Sequence, residues 1–258
     1  MNNNCKCGGK VTLLGAGPGD LELLTIKAVK ALAAADVLLL DDLVNPDIVA
    51  LAPQARVVRV GKRGGCKSTP QDFIQRLMRR YAMQGLHVVR AKGGEALMFG
   101  RAGEEMAYLN QFGIEVNLVN GISAGMAASA SLGMSLTLRG QAQSVIFVTA
   151  HMHDDGEPDW QALAETRATL VIYMGMSRLG RIVNGLSAGL PPDTPAAVVE
   201  AASTPAERRI LTTLAALEHD ARQAQMKSPA IILVGCAVAV ALASGNVGAT
   251  SAEITLAA

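Results

Sequence analysis

The chain has 258 residues, half of them apolar, with 23 Lys and Arg against 22 Asp and Glu and a net charge of +1. That length holds one large domain or two small α/β domains sharing a cleft, and the apolar half can bury a core without disulfides. Near-neutrality excludes a generally nucleic-acid-binding surface, so any anionic ligand must be met by a local cluster of cations. Aromatic residues are only 3%, which leaves packing to Val, Leu, Ile, Ala and Met. Cysteines at 5, 7, 66 and 236 are too few for a disulfide framework. Cys5 and Cys7 lack partners at metal-ligand spacing, so no metal is expected, and residues 1–10 read as a flexible tail. The opening MNNNCKCGGK has no apolar stretch of the signal-peptide kind. The longest apolar run, 230–243, falls short of the roughly 18–20 residues of a membrane span. A cytoplasmic protein without a membrane association is expected.

Taken in chain order, short β-like runs alternate with helical stretches. Residues 11–14 predict a strand, followed by the loop GAGPGD at 15–20 and a helix over 23–35 with apolar residues at helical spacing. A buried strand at 37–40 ends on Asp41 and Asp42, and a third at 57–60 runs into GKRGG. An amphipathic helix over 71–84 stops at Gly85. The strand at 88–91 leads into KGGEALMFGR, the helix over 102–112 stops at Gly113, and 116–119 form a fifth strand. Alternation of this kind implies a mainly parallel sheet. Each glycine-rich or charged motif falls at the carboxyl end of a strand, the edge where open α/β sheets bind ligands. Near 120–130 the pattern resets in a small-residue stretch suited to a packed helix. Strands then recur at 144–149, 169–174, 196–200 and 230–234, the last leading into a small-residue tail from 241. The expected division is an N-terminal domain over 11–120 and a C-terminal one over 121–240.

Gly15, Gly17 and Gly19, with Asp41 or Asp42 at the next strand end, invite a dinucleotide reading and hence a nucleotide-binding oxidoreductase. The fingerprint requires Gly where Asp20 stands, and Pro18 removes an N–H from a loop that would cradle a pyrophosphate. A tight strand-to-helix turn without a ligand also fits this motif taken alone.

As an ordered set, the motifs resemble the tetrapyrrole methylase family. They are GAGPGDLELLTIKA at 15–28, LDDLVNPDI at 40–48, GKRGG at 61–65 and VVRAKGGEALMFGRAGEE at 88–105. NGISAG at 120–125, SLTLR at 135–139, FVTAH at 147–151, TLVIYMG at 169–175 and KSPAIILVG at 227–235 complete the series. The resemblance implies two α/β domains, the first mainly parallel and the second mixed, with the active site in the cleft between them, and usually a homodimer. It implies S-adenosyl-L-methionine as methyl donor, S-adenosyl-L-homocysteine as its product, uroporphyrinogen III as acceptor and precorrin-2 on the way to siroheme, cobalamin or haem d1. A methylase of the same fold acting on a later precorrin is the alternative.

Carried over residue by residue, Pro18, Gly93, Gly94, Glu95, Met98, Ser123, Ala124, Met174 and Ala202 would bind the donor. Asp41 and Lys62 match acid–base positions, and Arg101 and Glu104 lie nearest the acceptor. Arg63, Arg139 and Met174 would contact the acceptor, whose carboxylates call for convergent cations; Lys67 and Lys92 belong to the same expected group. Plainer readings stand beside these roles. Asp41 could cap the turn at Asn45–Pro46, Arg101 could pair at the surface with Glu104 or Glu105, and Met174 could fill the core. His151 and His153 read as a solvated loop. The chain departs from the family pattern at Leu40 (usually Tyr), Glu95–Ala96 (Asp–Pro), Leu97 (Phe), Leu138 (His), Ala150 (Gly) and Ser177 (Asn). Those changes are expected to alter behaviour and leave the fold intact.

Overall fold

The computed structural model describes residues 8–61, 69–152 and 156–243. The chain divides into two compact units, Met1–Ala124 and Gly125–Ala258. The division falls four residues beyond the position expected from sequence, inside the helix that carries the small-residue stretch.

In the first unit, strands β1 (Lys10–Gly15), β2 (Val37–Leu40), β3 (Arg56–Arg59), β4 (His87–Lys92) and β5 (Glu115–Val119) form one sheet in the order β3-β2-β4-β1-β5. Every pairing is parallel. Helices α1 (Ile26–Ala33), α2 (Gln71–Ala82) and α3 (Ala102–Asn110) connect the strands. Helices cover both faces, so β2 is buried at every position and reads VLLL without a polar residue. Successive side chains alternate between two cores. Leu14, Leu38 and Leu40 pack with Ala28 and Leu32 of α1, while Leu13, Val37 and Leu39 pack with Ile74 and Met78 of α2 and Leu109 of α3.

The continuous helix expected over 23–35 is instead two pieces, and two caps explain the break. Asp20 accepts from Glu22 N at 2.8 Å and starts a 3-10 turn at Leu21–Leu23. Thr25 then accepts from Ala28 N at 3.1 Å and starts α1 at Ile26. Each side-chain oxygen satisfies an amide that a helix N-terminus leaves unpaired.

The second unit follows α4 (Ala124–Ser131) with β6 (Val145–Thr149), α5 (Trp160–Glu165), β7 (Thr169–Tyr173), α6 (Leu179–Leu186), β8 (Pro195–Glu200), β9 (Arg208–Thr213), α7 (Leu217–Gln223), β10 (Ala230–Val234) and α8 (Ala239–Ala243). Its sheet order is β6-β7-β10-β8-β9. Only β6 and β7 are parallel; the remaining pairs run antiparallel. The core gathers Leu170, Ile172, Val198, Ile232 and Val234 from the sheet with Trp160, Ile182, Leu186 and Leu217 from the helices. The small residue Gly185 lets α6 close on Trp160: a Cβ there would lie 2.5 Å from the Trp160 Cβ. Sequence patterning named neither strand β9 nor helices α5, α6 and α7, and the apolar run after β10 forms a 3-10 turn (Cys236–Val238) and α8, which runs three residues into the tail expected from 241.

Candidate active site

Three loops of the first unit, leaving β1, β4 and β5, meet through their main chains. Gly17 N donates to Gly94 O at 3.1 Å and Gly94 N returns a bond to Gly17 O at 2.7 Å. A Cβ on Gly15 would lie 2.6 Å from Gly121 N, and one on Gly121 would lie 2.4 Å from Gly94 O. No side chain fits in either place, so glycine is a packing requirement here. Pro18 continues the first loop, and Asn45 Nδ2 ties that loop to the end of β2 by donating to Gly19 O at 2.8 Å. Gly93 lies under Leu43, whose Cβ would be 2.8 Å from an added methyl.

Glu95 joins the second loop to the third. Its Oε2 accepts from Gly121 N at 2.8 Å; its Oε1 accepts from Leu97 N at 3.2 Å and from Asn120 Nδ2 at 3.4 Å. The carboxylate thus acts within the loops themselves, a use that sequence reasoning did not foresee. Nearby, Ser123 Oγ donates to Met98 Sδ at 3.4 Å, and Ala124 opens α4 directly behind. The expected donor residues of this unit are therefore brought together on one sheet edge.

Beneath this edge lies a buried polar cluster. Arg90 and Lys92 on β4 are 3% and 5% exposed, and Glu105 on α3 is fully buried. Lys92 Nζ donates to both Glu105 oxygens at 3.1 Å, and Gln71 Nε2 donates to Oε1 at 2.9 Å. Arg90 reaches the other way, placing Nη2 2.6 Å from Asp41 Oδ2. Burial pushes the Lys92 ammonium below the ordinary lysine range, against the opposing pull of Glu105. Lys92 is thus an internal ion-pair partner, and its expected place among the acceptor-gripping cations is corrected. The turn at Pro46 is capped by Asn45, which accepts from Asp47 N at 2.9 Å, so Asp41 is not its cap. Arg90 and Gln71 escaped sequence analysis, and Glu105, weighed there only as a surface partner of Arg101, is buried and paired with Lys92 instead; the available signal was two charges in VVRAK where every neighbour is apolar.

Arg101 opens α3 in a left-handed conformation, with φ 58°. Its guanidinium grips Glu104 through two bonds of 2.9 and 2.7 Å, and both side chains are exposed. Hydrogen bonding to Glu104 raises the Arg101 pKa further, which rules it out as a base and leaves it a fixed cation. The surface pair weighed from sequence is therefore present.

In the second unit, Met174 (φ 56°, 48% exposed) leaves β7, so it is not core filler. Ala202 is buried between Ala201 (φ 48°) and Ser203 (φ 63°) after β8. Arg139 is exposed in a tight turn where Leu138 and Ala142 form an antiparallel bridge. Of seven non-glycine residues with positive φ among the described residues, five (Phe99, Arg101, Met174, Ala201 and Ser203) occupy the loops after β4, β7 and β8. Strain of this kind persists where surroundings enforce it, commonly at ligand sites. Lys62, Arg63 and Lys67, like His153 and the cysteines at 5, 7 and 66, lie outside the described residues.

The chemistry of these loops suits a sulfonium donor better than a dinucleotide. The loops after β1, β4 and β5 carry Asp20 and Glu95, and their one described cation, Arg101, is paired with Glu104. Acidic groups favour a cationic or hydroxyl-rich ligand and repel a pyrophosphate. The chain belongs to the tetrapyrrole (corrin/porphyrin) methylases, whose family pattern matches residues 10–218. It is similar to Uroporphyrinogen-III C-methyltransferase of Pseudomonas aeruginosa, 55% identical over 228 residues that cover 88% of this chain and 93% of that one. Uroporphyrin-III C-methyl transferase from Thermus thermophilus, solved with S-adenyl homocysteine, matches with a TM-score of 0.78 at 39% identity, over 90% of this chain and all of that one. A cobalt precorrin-4 methyltransferase matches with a TM-score of 0.81 at 29% identity, over 92% and 99%.

Proposed function

We propose that the chain transfers methyl groups from S-adenosyl-L-methionine to carbon atoms of uroporphyrinogen III, yielding precorrin-2 and S-adenosyl-L-homocysteine. The observation that carries this reading is the 55% identity to a uroporphyrinogen-III C-methyltransferase along nearly the whole of both chains. When bound, the donor supplies an electrophilic methyl group; the chain's own residues hold, orient and deprotonate. Pro18, Gly93, Gly94, Met98, Ser123 and Ala124 form the donor seat in the first unit, with Glu95 clamping two of its loops. Met174 and Ala202 are donor contacts of the second unit.

A macrocycle methylated at carbon must lose a proton. Asp41 is one-third exposed and already fixed by Arg90, which supports it as the group that receives that proton, with Lys62 as an acid–base partner. Arg101, Arg139 and Arg63 grip acceptor carboxylates, for which the planar two-point geometry of guanidinium is suited. Glu104 holds Arg101 in place until the acceptor arrives. The protein works as a cytoplasmic homodimer in this reading.

The likeness to cobalt precorrin-4 methyltransferase favours a second acceptor, a later precorrin. Its TM-score equals that of the uroporphyrin enzyme to within a few hundredths, but its identity is ten points lower, 29% against 39%. Incubation of the protein with donor and uroporphyrinogen III should add two methyl groups by mass. No gain there, with methylation of a precorrin, would overturn the first reading in favour of the second.

A further inference from the structure

Glu105 connects polar groups that otherwise sit on separate elements. It lies in the first turn of α3 with no exposed surface, so it touches no ligand. Lys92 and Gln71 saturate its oxygens, and Arg90 Nε stands 3.6 Å from Oε1. The far end of that guanidinium holds Asp41 Oδ2, while Asp41 Oδ1 accepts from Asp42 N at 2.9 Å. Both Asp41 oxygens are thereby oriented. In the other direction, Glu105 N donates to Arg101 O at 3.3 Å, and Glu104, its chain neighbour, grips the Arg101 side chain.

Two cations and two anions balance in this cluster. Desolvating the three buried charges is costly, and apolar residues of similar volume often fill such a space with equal or better stability. Core stability alone therefore gives no reason to keep the cluster. What it does provide is a rigid link between Asp41 at the end of β2 and Arg101 at the start of α3.

We propose that Glu105 is a positioning residue of the methylation site, fixing Asp41 through Arg90 and Arg101 through the first turn of α3. This rests on the methylase reading above. Glu105→Gln keeps the size of the side chain but leaves Arg90 and Lys92 facing Asp41 alone. Its kcat should fall about tenfold or more, as for a misplacement on the ångström scale. Donor KM and S-adenosylhomocysteine affinity should stay within about threefold. Glu105→Asp keeps the charge and should recover part of the loss.

Because a half-neutralised buried cluster can unfold the protein, a second variant removes both partners, Lys92→Met with Glu105→Met. It should melt near the wild-type temperature and show the same fall in kcat. Wild-type kcat in the folded double variant overturns the proposal, as does a loss of donor affinity as large as the loss of kcat. Failure of the wild-type protein to methylate uroporphyrinogen III strikes the activity reading instead. The carboxylate carbon resonance of Asp41, compared without substrate in wild type and double variant, then decides the matter: a moved resonance supports the link, and an unmoved one overturns it.

Discussion

Replacing Glu95 by Ala removes the clamp between two of the three glycine loops, and its cost can be worked from the contacts. The bond from Gly121 N is short, 2.8 Å, and ends on a carboxylate; such charge-assisted bonds contribute about 1.5–3 kcal/mol. Partial exposure of Glu95 places it near the lower end. The bonds from Leu97 N and Asn120 Nδ2, at 3.2 and 3.4 Å, are long and add little. The sum is about 2 kcal/mol, which corresponds to a melting temperature lower by about 4–8 °C. Exchange of the Gly121 amide should speed up about 30-fold if it opens with the loop. S-adenosylhomocysteine, followed by calorimetry, should bind a few-fold more weakly because the loops are no longer pre-set. Glu95→Asp, one methylene shorter, should fall between. An Ala variant with unchanged melting, amide exchange and affinity would refute the clamp.

Gly121→Ala should cost about 3 kcal/mol or more in urea unfolding, since its Cβ would meet the Gly94 carbonyl at 2.4 Å; a cost below about 1 kcal/mol would mean that the loop junction yields easily. Arg101→Ala should change stability by less than about 1 kcal/mol, because its ion pair with Glu104 is exposed on both sides. The same variant should cripple methyl transfer at unchanged donor affinity, and Arg101→Lys should rescue poorly; near-normal turnover in both would reduce Arg101 to a structural residue. Ala96 is the second residue of a turn closed by Met98 N on Glu95 O at 3.2 Å, a place that suits proline. Ala96→Pro should therefore stabilise by about 0.4–1 kcal/mol, measured as a higher melting point, and a lower one would show that the loop cannot take the fixed φ. S-adenosylmethionine should raise the melting temperature and NAD should not; the reverse would contradict the acidic character of the loops.

The first sheet was legible because its strands centre on short apolar runs, and burial on both faces writes β2 as an unbroken one, VLLL. Strand β9 was not, and its place explains why. It is the edge of the second sheet, and its sequence RRILTT opens with two exposed arginines. An edge strand has one neighbour and tolerates charge, so its pattern resembles a loop. The glycine motifs pointed to the loops that the structure joins, but not to why glycine stands at Gly93 and Gly121. There the missing Cβ accommodates Leu43 or another main chain, a fact visible only when three loops are assembled. The charge of Lys92 was legible and its direction was not. A lysine at a strand end before two glycines reads as a loop cation, and only the buried Glu105, thirteen residues on, turns it inward.

A seat assembled by main chain against main chain is insulated from drift in side-chain identity. Leu97 can stand for Phe, or Glu95 for Asp, while Gly15, Gly94 and Gly121 still touch at the same atoms. The groups assigned to the macrocycle, Arg101, Arg139 and the residues around Leu138, have no such insulation, being exposed side chains on strained or tight turns. One half of the chemistry is thus held constant and the other is free to be re-aimed. A scaffold divided in this way could address differently decorated rings by changing a few turn residues, and an engineer seeking a new acceptor would leave the glycines untouched and vary the turns.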